Sequence, residues 1–324
     1  MAKGTEDSVR MSLLVVAGVS LLLAVGVFLS MRLGLPLSPS AGPSVGPSVG
    51  PSATVARALP APVTAREGSV LLPVPAGLFL QGSNDDRDDE KPRRAVPLPE
   101  FYIGQCEVTN EQFARFVAAT RYRAAGCWGD YAGSGRERHP VVSVTRADAE
   151  AYCRWAGLRL PTEAEWEKAA RGTDGRMWPW GNTWDRNRAN SVVMTDPARL
   201  SRMLPLRGGR GTLPVGLFPE GASPCGALDM AGNVWEWCGT PYGPYPGNRV
   251  DHPDYARSLY VARGGGWHHD GADCMRCARR LAFINDCSVH IGFRVCADGP
   301  GGQGHPASPS PGTGPAASEP RSGG

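Results

Sequence analysis

No block of basic residues interleaved with aromatics occurs in the 324 residues, and the net charge is only +3, which argues against nucleic acid as a partner. No cysteine precedes Cys106, so an N-terminal lipidated cysteine is excluded. No Ser/His/Asp signature, phosphate-cradling loop or nucleotide fingerprint appears, leaving hydrolase and kinase readings without support. Charge is missing altogether from Met11 to Met31, "MSLLVVAGVSLLLAVGVFLSM". As a helix this run would extend about 31 Å, the thickness of a bilayer's hydrocarbon core. It reads as a single membrane span, since the apolar part of a cleaved signal peptide is usually shorter. Lys3 and Arg10 before it, against Arg32 alone just after it, place residues 1–10 in the cytoplasm and the rest of the chain outside.

Glycine (42) and proline (30) are abundant, so much of the backbone must be turn and loop. Nine tryptophans imply that these loops pack on a core. Residues 32–69 include the repeat "GPSVGPSVGPSA" and read as a tether; residues 298–324 have the same character and read as a disordered tail. One domain, residues 70–297, is left to carry the function.

Within it, three capping boxes announce helices: Thr109 with Gln112, Thr145 with Asp148 and Thr162 with Glu165. The periodicity turns Phe113, Phe116 and Val117 inward on the first, Ala151, Tyr152 and Trp155 on the second, and Trp166, Ala169 and Ala170 on the third. Glu167 and Arg171 read as an exposed i,i+4 pair. Short apolar runs such as "GLFLQG", "FYIGQCEV" and "LYVARGG" read as strands. The expected class is α+β, with small strands and long connections. "NDDRDDEKPRR" (Asn84 to Arg94) reads as a solvated loop, and His139 before Pro140 as a structural turn residue.

The stretch "RGGGWHHDGADCMRCARR", Arg263 to Arg280, concentrates two histidines, two cysteines and four arginines. Its Cys274-Met-Arg-Cys277 is weak evidence for a zinc site, because Cys287 and Cys296 do not form the second close pair such a site needs. "DMAGNVWEW" offers Asp229, Asn233 and Glu236 as oxygen donors around Gly232, a pattern that suits calcium; the competing reading is a turn stapled by its own polar side chains.

The ordered series "VPAGLFLQGS", "FYIGQCEVTNEQFARFV", "RLPTEAEWEKAARG", "ALDMAGNVWEWC", "RGGGWHH" and "IGFRVC" resembles the formylglycine-generating enzyme (sulfatase-modifying factor) family over nearly the whole domain. The resemblance implies a C-type-lectin-like α+β fold low in regular secondary structure. It implies calcium at Asp229, Asn233 and Glu236, and a substrate groove beside Trp235. It also implies a bridge from Cys153 to a cysteine directly after "GFR", where this chain has Val295 and places Cys296 one residue later. The family's enzymes use two cysteines, five residues apart, to bind copper and oxidise a substrate cysteine with dioxygen. Counting from Arg263, the second falls on Cys274 but the first on His269; the groove serine falls on Gly266, and the histidine after the first cysteine on Asp270. Two functions follow as expectations. One is a metal-dependent oxidoreductase using Cys274 and His269 on a protein or peptide substrate, with altered metal preference. The other is a non-catalytic lectin-like binding or scaffold domain in which His269 and Cys274 only line or pack the groove.

Overall fold

In the computed structural model, residues 60–191, 211–269 and 272–300 are described. The apolar run 11–31, most of the tether, the tail beyond 300 and Asp270 lie outside them. No helix among the described residues is long and apolar enough to cross a membrane.

All three capping boxes close as the spacing requires. Helices α1 (Asn110–Thr120), α2 (Arg146–Ala156) and α3 (Glu163–Arg171) each begin with a threonine hydroxyl accepting from the third backbone N–H, while that residue's side chain accepts from the threonine N–H. Phe113 and Phe116 of α1 are buried, with Val117 partly so. On α2 the buried apolar residues are Ala149, Tyr152 and Cys153, whereas Ala151 and Trp155 sit half-buried at the margin.

Ten short strands among the described residues form three sheets. The first has β1 (Val63–Thr64), β2 (Val70–Val74), β5 (Phe101–Gly104) and β10 (Cys296–Asp298) in the order β1-β2-β5-β10. A hairpin joins β3 (Gly77–Gln81) to β4 (Arg94–Leu98). The third sheet runs β8-β7-β6-β9, from β6 (Trp235–Pro241), β7 (Tyr260–Arg263), β8 (Leu281–Phe283) and β9 (Ile291–Gly292). Its β6–β9 pair is parallel, aligning Trp235 with Ile291. The first sheet reaches beyond the expected limits of 70 and 297 at both ends. Val63 pairs with Leu71, and Asp298 pairs with Phe101 and binds Arg159.

Two large apolar clusters, with two smaller ones, fill the interior among the described residues. One centres on α1, α2, Trp235, Trp237 and Phe293; the other on Trp166, Ala169, Ala170, Ile103 and Val261. The pair expected on the exposed face of α3 is buried instead: Glu167 is 0% and Arg171 4% exposed. The i,i+4 rule places these side chains together but carries no information about what covers them, and here the β3–β4 hairpin does. Arg171 donates to the Gly82 carbonyl, and Glu167 accepts from the Gly82 N–H. The acidic loop departs from expectation for the same reason. Glu90 is fully buried and accepts two bonds from Arg276, and Asp89 accepts the Tyr242 hydroxyl.

Candidate functional site

The glycines that open "RGGGWHH" are needed where the chain doubles back. Gly265 has φ 75°, and a Cβ on it would lie 2.7 Å from the Cys274 carbonyl oxygen and 2.9 Å from Met275. The turn therefore lies directly against the Cys274 backbone. Trp267 N–H then donates to the Asn233 carbonyl, which anchors the two histidines beside β6.

Trp235 donates its indole N–H to His269 Nε2 over 3.0 Å, with the two rings edge to face. His268 packs on His269 at 4.0 Å between ring centroids, and on His290 at 3.8 Å. Three imidazoles are thus stacked over a buried tryptophan. The Nδ1 atoms of His268 and His290 are buried without a hydrogen-bond partner. Burial, reinforced by the neighbouring imidazoles, lowers His268 to about 4; burial lowers His290 as well. At neutral pH His268 is therefore uncharged, as its closeness to two further imidazoles demands.

Gly266 belongs to this arrangement. A Cβ there would stand 3.0 Å from His268 Cε1 and Nδ1 and 3.5 Å from Trp235, so His268 covers the place from which a serine would project.

The two cysteines of the CxxC part company. Cys274 is half-buried at the edge of the cluster that holds Trp235, while Cys277 is fully buried in the other cluster, with its thiol pushed up to about 12 by burial. They form neither a redox pair nor half of a zinc site. Among the described residues, no group of three or more His, Cys, Asp or Glu side chains is placed to hold a metal ion.

Three of the four arginines in this stretch are structural. Arg263, fully buried, donates to Glu163 at 2.7 Å, Glu167 at 2.8 Å and the Tyr245 hydroxyl at 2.7 Å. Arg280 also binds Glu163, and lies over the Tyr242 and Tyr245 rings. Arg276 holds Glu90 and Asp273. Glu163 is kept below its ordinary value despite complete burial, because two guanidinium groups face it.

The expected calcium ligands meet one another but are already engaged. Glu236 accepts from Arg294 through both oxygens, each at 2.6 Å, and from the Trp166 indole at 2.8 Å. Asn233 Oδ1 accepts from Asn190 and from the Leu213 N–H, and Asp229 Oδ2 from the Gly216 N–H. A guanidinium lying on both oxygens of one ligand repels a divalent cation, so this arrangement does not fit calcium. It fits the stapled turn, with Asp229 and Asn233 both at positive φ.

Sequence reasoning missed two members of these sites. Glu107 is buried against Asn233 and Asp229, and burial pushes its carboxyl well above the ordinary range, with the Asp229 charge adding to the effect. His290 carries no local signal; only the parallel β6–β9 pairing, with Trp235 N–H donating to the His290 carbonyl, brings it to His268. The implied Cys153 bridge is not made, and both cysteines are free. Val295 packs in the cluster of Cys153 while Cys296 packs in the other, as alternation along a strand requires.

The chain matches the family described as "Sulfatase-modifying factor enzyme 1-like domain" over residues 56–298. It is 34% identical over 301 residues to the formylglycine-generating enzyme of Mycobacterium tuberculosis, covering 70% of this chain and 97% of that one. It is 33% identical over 286 residues to the inactive C-alpha-formylglycine-generating enzyme 2 of Bos taurus, covering 71% and 88%. It is 34% identical over 222 residues to the hercynine oxygenase of Mycobacterium tuberculosis, covering 56% of this chain and 48% of that one. Among solved structures, PvdO from Pseudomonas aeruginosa superposes with a TM-score of 0.59 at 26% identity, covering 75% of this chain and all of that one.

Proposed function

The chain belongs to the sulfatase-modifying factor enzyme 1-like family, and from that premise we propose that it is a membrane-tethered, extracytoplasmic binding domain that does not make formylglycine. Its working surface is the groove of Trp235, Gly266, His268 and His269, and its partner is a peptide segment of a protein. The observation that carries this reading is the Trp235–His269 hydrogen bond. Where the resemblance calls for the first copper thiolate, the chain has an imidazole whose Nε2 is already a hydrogen-bond acceptor. A neutral ring replaces a soft anion, which removes both the charge and the donor type that favour Cu(I). The family also includes a relative named as inactive, so loss of the oxidase is compatible with the fold. The purified protein, supplied with copper, dioxygen and a cysteine-containing sulfatase-type peptide, is expected to leave the peptide unconverted; formylglycine formation at an enzyme's rate overturns the reading.

Tethering rests on the uncharged run 11–31 and its more basic leading flank. Protease added to intact spheroplasts is expected to remove residues 70–297, and complete protection would count against this topology.

A second reading, a metal-dependent oxidoreductase using His269 and Cys274, is favoured by one observation. The Nδ1 atoms of His268 and His290 are buried and unpartnered, leaving imidazole donors for a borderline cation such as copper, zinc or iron. Stoichiometric metal in the purified protein, together with oxygen uptake, would select this reading over the first. Calcium has a part in neither, because Arg294 occupies Glu236.

A further inference from the structure

Cys127 and Cys287, far apart in sequence, hang from two segments clamped to the same residue. Ser143 has φ 57°, and its N–H donates to the Ser288 carbonyl at 2.9 Å. On its other side Gly126 presses so closely that a Cβ there would lie 2.1 Å from the Ser143 carbonyl oxygen. Cys127 follows Gly126 and Cys287 precedes Ser288, so the shared anchor brings the two thiols into each other's neighbourhood, close enough for Cys287 to act on the Cys127 thiol. All nine cysteines are free, and Cys127 is the exposed one; Cys287 is half-buried, whereas Cys153, Cys238, Cys277 and Cys296 are sealed in the core.

We propose that Cys127 and Cys287 form a reversible disulfide that pins the loop carrying His290. The oxidant is a small-molecule or protein disulfide. The Cys127 thiolate attacks one of its sulfurs, giving a mixed disulfide and releasing the first thiol. The Cys287 thiolate then attacks the Cys127 sulfur, forming the intramolecular S–S bond and expelling the second thiol. The two cysteines lose two electrons and two protons in total, and the oxidant's disulfide takes them up as two thiols. The Cys287 sulfur, with Asp130 and Asp286 nearby, holds the Cys127 thiol above its ordinary value, so exchange is faster in mildly alkaline buffer.

The bond reaches the histidine stack through a short stretch of chain. Cys287 lies on the loop leading to His290, whose carbonyl accepts from Trp235 N–H at 2.8 Å and whose ring packs on His268. Closing the disulfide fixes that loop to the short turn Trp128–Tyr131, whereas in the reduced protein the Ser143–Ser288 hydrogen bond ties the loop to the separate segment at Ser143. The redox state of an outer thiol pair therefore sets the freedom of one wall of the groove.

The test treats the full chain with glutathione disulfide in mildly alkaline buffer, alkylates the remaining thiols and maps tryptic peptides. The peptide containing Cys127 should be linked to the one containing Cys287, and dithiothreitol should separate them. Amide hydrogen exchange across residues 284–291 should slow by roughly tenfold in the oxidised protein. The variant C127S, altered at an exposed position and therefore folded, should show no slowing under the same treatment. Both thiols remaining open to alkylation in the oxidant-treated protein, linkage of either to a third cysteine, or unchanged exchange over 284–291 would each overturn the proposal.

Discussion

The indole N–H of Trp235 and the Nε2 of His269 meet at 3.0 Å, at the position to which the resemblance assigns the first copper-binding cysteine. Replacing the imidazole by a thiol tests what the bond has displaced. H269C is expected to bind Cu(I) more tightly than the wild type, by roughly tenfold or more. Formylglycine formation should stay absent in H269C, and also after adding G266S, because a Cβ at 266 presses on His268 at 3.0 Å. Activity should need His268 replaced as well. A titration against a copper(I) chelator, alongside peptide turnover for the three variants, checks both steps.

The buried carboxylate Glu163 accepts from Arg263 and Arg280 together. E163Q leaves two guanidinium groups short of a counter-charge in the core and should cost about 3–5 kcal/mol. The exposed pair Glu111–Arg115 has the same i,i+4 logic as Glu167–Arg171 but half-exposed side chains, so E111Q should cost less than about 1 kcal/mol. Urea unfolding of the two variants measures the contrast, and equal losses would contradict the assignment.

Because Arg294 neutralises Glu236, chelation should leave the melting temperature of the wild type unchanged to within about 1 °C. R294M, which strands Glu236 beside Glu107 and Asp229, should be strongly destabilised, on the order of 3–5 kcal/mol. Calorimetry with and without a calcium chelator decides it. A large loss on chelation would mean that calcium, and not the arginine, holds these oxygens.

His139 is 1% exposed, hydrogen-bonded to Thr212, and lowered to about 4, first by burial and then by Arg136. Its folded value lies below the unfolded one near 6.5. The unfolded chain therefore binds the proton first as pH falls: its contribution to stability is complete above about 6.5 and is lost progressively down to about 4. H139Q should flatten the fall in melting temperature over that window, and an unchanged slope would assign the loss to other groups.

The starts of all three helices were legible because a capping box is local. Threonine and its partner three residues on satisfy each other's backbone whatever packs around them. The inward faces of α1 and α3 followed from periodicity for the same reason. The capping boxes and the short apolar runs carried the α+β class, and the one-residue displacement of Cys296 was readable too, since alternation along a strand is also local.

What lay beyond the sequence was everything that depends on which surface meets which. Nothing in "TEAEWEKAARG" says that the β3–β4 hairpin closes over Glu167 and Arg171, or that the arginines of the reactive-looking stretch run inward to Glu163, Glu167 and Glu90. A carboxylate offers the same oxygens to calcium and to a guanidinium, and only the tertiary structure put Arg294 against Glu236. His290 and Cys287 had no local signature at all; the parallel β6–β9 pairing and the Ser143 anchor bring them to their partners. The sequence by itself determined the local hydrogen bonds and the residue types present. The fold decided which charges were desolvated and paired, because burial and contact between distant segments are properties of the packed chain and not of any stretch within it.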